Sequence, residues 1–188
     1  KKQEPSDLKK WSEELRGDRR LVLFDHFGSM DDDDVINRIR YMAKGCDCKW
    51  VFVDHLSLII SGRDDGNERK AIDILMTKLR SLCHEAKIGM LLACHLRRLD
   101  NDRGHEEGKQ VSLSHLRGSH SIAQLSDAVI GMERNQQDDD EIAKNTSTIR
   151  VLKNRYAGTT GVGSYLLYST ENGRMTEIDN PFKENADE

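Results

Sequence analysis

Apolar positions recur along the chain with two periods, and segments of the two kinds alternate. Short continuous apolar runs predict buried strands at 21–24, 50–53, 88–94 and 128–132. Between these runs, apolar residues three and four positions apart predict helices. The helices cover residues 6–16, a segment opened by the aspartates 31–34, a segment that carries Ile72, Leu75, Leu79, Leu82 and Ala86, and residues 121–125. Strands that alternate with helices predict right-handed crossovers and a mainly parallel, twisted sheet.

The last third of the chain has a different pattern. The segments TIRVLKNR, SYLLYS and RMTEI predict three strands, and the turn sequences AGTTG and ENG separate them. Short turns between strands favour antiparallel pairing. The prediction is therefore an α/β fold with C-terminal antiparallel strands, in one domain over residues 1–179 with a polar tail at 180–188.

Composition narrows the functional classes. The chain has 188 residues, of which 33% are charged, and its net charge is −4. Bulk charge therefore does not attract nucleic acid, and any such binding needs a local patch. The four cysteines form no C-x-x-C pair, which favours reduced thiols. With neither a signal peptide nor a run of about 20 apolar residues, we expect a cytoplasmic location and no membrane contact.

Polar residues stand at the ends of three predicted strands. They are Asp25, Asp54 and His95. The carboxyl ends of parallel strands are where open α/β sheets bind ligands. Asp54 could hold magnesium, directly or through water, or it could cap a nearby loop. His95 could donate a hydrogen bond to a terminal phosphate, or the backbone of a crossover could satisfy it.

A phosphate-binding loop does not accompany these residues in the chain. The loop pattern is G-x-x-x-x-G-K-[ST], and the nearest match, GHEEGKQ from Gly104 to Gln110, is one residue short and lacks the final hydroxyl. The aspartates 31–34 resemble a metal cluster but fit a helix cap and first turn better. Cys94, inside an apolar strand, is interpreted as a packing residue rather than a nucleophile.

Two segments carry clustered cations. The long polar segment 96–121 contains Arg97, Arg98, Arg103, Lys109 and Arg117. Such a loop could contact phosphodiesters, or it could be solvated, since nearby acids partly cancel its charge. Lys153 and Arg155 lie two residues apart, so on a strand they would share one face. They could grip a phosphate, or they could protect an edge strand from aggregation.

The chain resembles the helicase domain of T-seven-type bacteriophage primase–helicases, which are DnaB-like, RecA-fold hexameric replicative DNA helicases. The similarity extends from LVLFDHFGSM to the ENGR turn. It is carried by VFVDHLSLIISG, ERKAIDILMTKLR, ACHL, HEEGKQVSLSHLRGS, QLSDAVIGMERNQQ and LKNRYAGTTGVGSYLLY. These segments are long, ordered and correctly spaced.

The resemblance implies roles for matching residues. Asp54 corresponds to the magnesium-linked acid and His95 to the phosphate sensor, while Arg155, with Lys153, corresponds to an arginine finger that enters the neighbouring subunit's site. Arg134 and Tyr168 correspond to the residues that sandwich the nucleotide base. The resemblance places three residues on a DNA loop of the central channel: Arg97, Asn101 and Arg103. It places Arg117 and Gly118 on a second channel segment. The implied ligands are Mg²⁺, ATP or dTTP and single-stranded DNA. The implied partners are five further copies in a hexamer, and a primase domain and DNA polymerase.

The resemblance also implies that the phosphate-loop strand and the catalytic glutamate lie upstream in this family, so we expect a fragment of a motor. Alone, residues 1–188 are not expected to hydrolyse nucleotide, because Asp54 and His95 do not replace the phosphate cradle. One alternative is a recombinase-type or circadian-clock-type RecA-fold ATPase. Another is a non-catalytic DNA-binding or assembly module, if this is the natural full-length chain.

Overall fold

The computed structural model describes residues 5–17, 21–24, 31–60, 68–98, 104–117 and 120–182. Four residues singled out in the sequence lie outside this described part of the chain: Asp25, Asn101, Arg103 and Gly118. The structure therefore does not bear on their predicted roles. The chain divides into two compact units. The first comprises residues 3–96 and 116–125, and the second comprises residues 1–2, 97–115 and 126–188.

The first unit contains the predicted alternation of helices and strands. Its elements, in chain order, are α1 (Pro5–Gly17), α2 (Asp32–Gly45), β1 (Trp50–Val53), α3 (Leu56–Ile60), α4 (Glu68–Ala86), β2 (Gly89–Leu92) and α5 (His120–Leu125). Strands β1 and β2 pair in parallel, from Trp50 with Gly89 to Val53 with Leu92. This pair is the parallel part of the fold among the residues described.

Helix α4 is the centre of the first unit's core. Its apolar face follows the predicted spacing, and Leu75, Leu79 and Leu82 are at most 1% exposed. Ile36 and Ile39 of α2 and Val51 of β1 are buried in the same cluster. Burial of this face, at roughly 25 cal/mol per Å² of apolar surface, stabilises the helix in the fold.

The aspartate run opens helix α2 as predicted. Asp31 caps the helix, because its carboxylate accepts a hydrogen bond from the backbone N–H of Asp33 at 3.1 Å. Lys78 of α4 binds Asp33 at 2.7 Å and lies 3.9 Å from Asp32, whose side chain is fully buried. The hydrogen bond from Lys78 to Asp33 raises the pKa of Lys78. The run therefore stabilises the first turn and ties α2 to α4.

The second unit is built on an antiparallel sheet. Strands β3 (Ala128–Glu133), β4 (Thr146–Asn154), β5 (Gly161–Tyr168) and β6 (Met175–Ile178) follow one another in that order across it. A 3₁₀ turn covers Leu113–His115 and a short helix, α6, covers Glu141–Asn145. The α/β class with antiparallel C-terminal strands is thus confirmed.

The structure differs from the local predictions at several places. The strand predicted at 128–132 was assigned to the mainly parallel sheet, but β3 pairs antiparallel with β4 because their backbone hydrogen bonds are made across the second sheet. Residues 21–24 form no strand, and Leu23 is 71% exposed. Their apolar composition suits a strand, but a strand also needs a neighbour for its backbone hydrogen bonds, and 21–24 have none among the described strand pairings. The sequence predicted neither helix α3 nor helix α6.

The sequence predicts no membrane-spanning segment and reduced cysteine thiols. In the described part of the chain, no helix is long and apolar enough to cross a membrane. The four cysteines, all of them described, are free thiols. Cys94 packs against the core, and its burial raises the pKa of the thiol, which disfavours a nucleophilic thiolate.

Glu85 supplies a testable pH dependence. Its carboxylate accepts hydrogen bonds from Lys44 at 2.6 Å and from Arg40 at 3.2 Å, linking α4 to α2. These two hydrogen bonds lower the pKa of Glu85 from 4.5 to about 2, and the bond from Lys44 has the larger effect. Because the folded pKa is depressed, the contacts stabilise the fold fully above pH 4.5 and lose this contribution as pH falls towards 2.

A carbon-13 NMR titration of the Glu85 carboxyl group measures this shift. The midpoint is expected at about 2, and Lys44→Met should move it towards 4.5. Arg40→Met should cause a smaller move in the same direction. A wild-type midpoint near 4.5 would show that the three side chains do not associate in solution.

Candidate functional site

The carboxyl ends of β1 and β2 bring two predicted site residues together. Asp54 follows β1 directly, and His95 lies three residues beyond β2. The backbone N–H of Ala93 donates to Val53 at 2.9 Å, which extends the pairing beyond β2. Both Asp54 and His95 are exposed, so their side chains can reach a ligand at this edge.

His55 joins these two residues, and the sequence reasoning missed it. Its ring centroid lies 4.1 Å from that of His95 in an edge-to-face arrangement. The Nδ1 atom of His55 is buried, with no hydrogen-bond partner among the described residues. The peptide bond between Asp54 and His55 is cis. The position directly after a strand-end acid was the signal that could have marked His55.

The predicted phosphate sensor also contacts a predicted DNA residue. The backbone N–H of Arg117 donates to the carbonyl of His95 at 3.0 Å, and Leu96 pairs with Leu116 as an isolated β-bridge. The side chain of Arg117 is half exposed and lies 3.4 Å from Glu68. The strand end of His95 and the segment at Arg117 are therefore hydrogen-bonded neighbours.

In the second unit, helix α6 orients Arg134. The guanidinium donates to the carbonyl of Lys144 at 2.7 Å and to Oδ1 of Asn145 at 3.2 Å. Asp140 caps α6 by accepting hydrogen bonds from two backbone N–H groups of its first turn. A planar guanidinium held in this way presents a fixed plane, which suits stacking on a planar ligand.

The sheet register places Tyr168 near the same helix end. Leu167 pairs with Thr146, the residue after Asn145, and Tyr168 follows Leu167. A cavity of about 270 Å³ lies beside Arg134, and Thr148 and Phe182 also line it. Tyr168 is not among its lining residues. Three acidic residues, Glu107, Glu133 and Asp138, also line this cavity.

Lys153 and Arg155 contact adjacent residues of one short segment. The Nζ atom of Lys153 donates to the carbonyl of Ser126 at 2.9 Å. The Nη1 atom of Arg155 donates to Oδ1 of Asp127, also at 2.9 Å. The structure therefore brings the two predicted cations together, although Arg155 lies one residue beyond the end of β4.

A carboxylate in the same sheet was not foreseen as important. Glu133 is 8% exposed and binds Arg150 through two hydrogen bonds of 2.6 and 2.9 Å. Its Oε1 atom also accepts the backbone N–H of Val111 at 2.8 Å. The hydrogen bond from Glu133 raises the pKa of Arg150. This group fixes the segment around Val111 onto strands β3 and β4.

Further backbone contacts secure the segment that follows the predicted DNA loop. Glu107 pairs with Asn135 as an isolated bridge, and Gln136 donates to the carbonyl of Glu106 at 2.9 Å. At the segment's other end, the N–H of Arg97 donates to His115 at 2.9 Å. Arg97 itself is exposed, so its side chain is accessible to a ligand.

The parallel strands of the first unit, with polar residues at their carboxyl ends, have the arrangement that binds ligands at strand ends in open α/β sheets. Residues 1–176 match the DnaB-like helicase C-terminal domain. The chain therefore belongs to the family of DnaB-like helicase C-terminal domains.

Two relatives illustrate this membership. The chain is 39% identical to a DNA helicase/primase of Enterobacteria phage T3 over 163 residues, covering 87% of this chain and 28% of the phage protein. It is 29% identical to a probable plasmid replicative DNA helicase of Chlamydia psittaci over 148 residues, covering 79% of this chain and 31% of that protein. The chain thus spans less than a third of the length of each of these relatives.

Proposed function

We propose that this chain is part of a replicative DNA helicase motor, which couples nucleoside triphosphate hydrolysis to movement along single-stranded DNA and to duplex unwinding. Family membership supports this proposal, as do the names of the two relatives. The observation that carries it is the position of Asp54 and His95 at the carboxyl ends of the two paired parallel strands, with the ring of His55 packed against that of His95.

Asp54 is the proposed magnesium-linked acid. Mg²⁺ is usually held by one or two carboxylates, with water and substrate phosphate oxygens as its other ligands. A single exposed carboxylate at a strand end fits this donor set, and the described residues contain no cluster of three or more metal-ligating side chains. The metal would neutralise charge on the phosphates of ATP or dTTP. His95, beside Asp54, would donate a hydrogen bond to the terminal phosphate and report its loss.

Arg155, assisted by Lys153, is proposed as an arginine finger that acts on the neighbouring subunit's nucleotide in a homo-hexamer. The turn after β4 supports this role, because it fixes the backbone from which Arg155 projects. Oδ1 of Asn154 accepts the N–H groups of Tyr156 and Ala157 at 3.2 and 3.1 Å. The side chain of Arg155 is 42% exposed and so is accessible to a second subunit.

Arg134 and Tyr168 are the proposed base-binding pair, supported by the oriented guanidinium and the shared position at the end of α6. The proposed DNA contacts are Arg97, Asn101, Arg103, Arg117 and Gly118. We further propose that residues 1–179 belong to one helicase domain, that a primase domain and a DNA polymerase are partners, and that the protein acts in the cytoplasm.

The test of this function is made on the gene product that contains these residues. The wild-type protein should hydrolyse nucleoside triphosphate faster with single-stranded DNA and should displace a duplex strand. Arg97→Ala combined with Arg103→Ala should weaken DNA binding and reduce the salt slope of log K by about 1.4, because each phosphate contact contributes about 0.7 on single strands. Nucleotide affinity should change little.

Arg174→Ala is the matched control, since Arg174 is an exposed cation in the turn between β5 and β6. Its DNA affinity and salt slope should equal those of the wild type. If the double variant keeps the wild-type slope, these arginines do not contact DNA. If the wild-type protein shows neither DNA-stimulated hydrolysis nor unwinding, the proposed function is wrong.

A further inference from the structure

The side chain of Arg155 binds the carboxylate of Asp127. Nη1 of Arg155 donates to Oδ1 of Asp127 at 2.9 Å, across 28 positions of sequence. The backbone N–H of Arg155 also donates to the carbonyl of Asp127 at 2.8 Å. Asp127 therefore binds both the backbone N–H and the guanidinium of Arg155.

The surrounding contacts make the backbone on both sides of this pair rigid. Ala128 pairs with Asn154 at the start of β3, and Lys153 donates to the carbonyl of Ser126. The turn beyond Arg155 closes with the N–H of Gly158 donating to Asn154 at 2.9 Å. With the backbone fixed, the side-chain torsions of Arg155 are the remaining freedom, and the carboxylate of Asp127 restricts them.

We propose that Asp127 is a positioning residue for Arg155, which it holds in the orientation that reaches the neighbouring subunit's nucleotide. This inference rests on the proposed role of Arg155 as a finger acting between subunits. A guanidinium has five N–H donors, and the hydrogen bond from Nη1 to Asp127 uses one of them. Orienting the group before the reaction lowers the entropy lost on reaching the transition state.

The Arg155–Asp127 pair is exposed enough for an effect on the orientation of Arg155 to be measured separately from an effect on folding. The side chains of Arg155 and Asp127 are 42% and 28% exposed. Ion pairs near the surface contribute little to stability, because water screens the charges and the side chains lose entropy. Removing the carboxylate should therefore leave folding and ring assembly intact, so that a change in turnover reports the orientation of Arg155.

Asp127→Ala, in the gene product that contains this chain, should lower kcat for DNA-stimulated hydrolysis by about tenfold to a hundredfold, the scale of a misplaced catalytic group. The KM for nucleotide should stay within about twofold, because the contact acts in the transition state. Asp127→Asn keeps an acceptor oxygen at the same place and should lose less. Asp179→Asn, an exposed acid beyond β6, is the control and should behave as wild type.

Two further measurements exclude a merely structural role. In an Arg155→Ala background, Asp127→Ala should cause no additional loss, since the group that it positions is absent. In mixed rings, Asp127→Ala subunits should impair the neighbouring site, with the same dependence on mutant fraction as Arg155→Ala subunits. Ring assembly and Tm are measured in parallel, and if Asp127→Ala does not assemble, the isosteric Asp127→Asn carries the test.

The outcomes separate the two proposals. If Arg155→Ala itself leaves turnover unchanged, the finger assignment fails, and this inference fails with it. If Arg155→Ala lowers turnover but assembled Asp127 variants match wild type or turn over faster, Asp127 does not position the finger. A loss of equal size with and without Arg155 would also overturn the inference.

Discussion

Arg155→Ala in the assembled ring is expected to reduce nucleotide turnover by about 10³- to 10⁵-fold, the range that arginine fingers contribute in GTPases. The guanidinium would stabilise charge that develops on the neighbour's nucleotide during hydrolysis, so nucleotide binding in the ground state should change far less than kcat. Steady-state hydrolysis and equilibrium nucleotide binding, measured on the same preparations, separate the two effects.

Mixed rings reveal the subunit on which Arg155 acts. When Arg155→Ala subunits are titrated into wild-type protein, activity should fall more steeply than the mutant fraction, since each mutant subunit impairs its neighbour's site. Arg174→Ala subunits should leave the activity unchanged. A strictly proportional loss would mean that Arg155 serves the nucleotide of its own subunit.

Glu133→Ala is expected to lower the free energy of unfolding by about 3–5 kcal/mol, the usual cost of removing one partner of a buried ion pair. The change would leave the guanidinium of Arg150, only 18% exposed, without its two hydrogen bonds, and the N–H of Val111 without its acceptor. Chemical denaturation of residues 1–188, followed by circular dichroism, measures the loss.

Two variants test whether an unpaired Arg150 causes this loss of stability. Glu177→Ala removes an exposed carboxylate on β6 and should change stability by less than about 0.5 kcal/mol. Replacing both Glu133 and Arg150 with methionine removes the buried charges together and should destabilise less than Glu133→Ala alone. If the double replacement is the more damaging of the two, an unpaired Arg150 is not the source of the loss.

Sequence reasoning succeeded where one local period decides the structure. Helix α4 was predicted because its buried positions recur every three or four residues, and β1 because an apolar run of its length fits a strand. The predicted burial of β1 was wrong for Trp50 and Phe52, which are 64% and 74% exposed. Helix α6 was missed because it is five residues long and depends on one cap, Asp140, within a run of acids. The strand predicted at 21–24 failed because composition does not supply a pairing partner.

The candidate site shows the same difference between positions marked by local sequence and contacts that need a distant partner. Asp54 and His95 were predicted to lie at one edge of the sheet because each follows an apolar run, and the structure places both beyond the carboxyl ends of β1 and β2. The contacts of Asp127 and Glu133 were not predicted because their partners, Arg155 and Arg150, lie 28 and 17 positions away. No local pattern marks a contact of that length, and only the antiparallel register of β3 with β4 creates it.

If Arg117 binds DNA and His95 contacts nucleotide, as proposed, the hydrogen bond from Arg117 to the carbonyl of His95 has a thermodynamic consequence. A DNA strand held by Arg117 and a nucleotide that contacts His95 would act on two backbone segments that this hydrogen bond joins. Linkage then requires reciprocity: if nucleotide tightens DNA binding by a given factor, DNA must tighten nucleotide binding by the same factor. A tenfold effect would correspond to about 1.4 kcal/mol of coupling free energy. Hydrolysis would remove that free energy from the DNA contact, so the strand would be gripped most firmly before the terminal phosphate leaves.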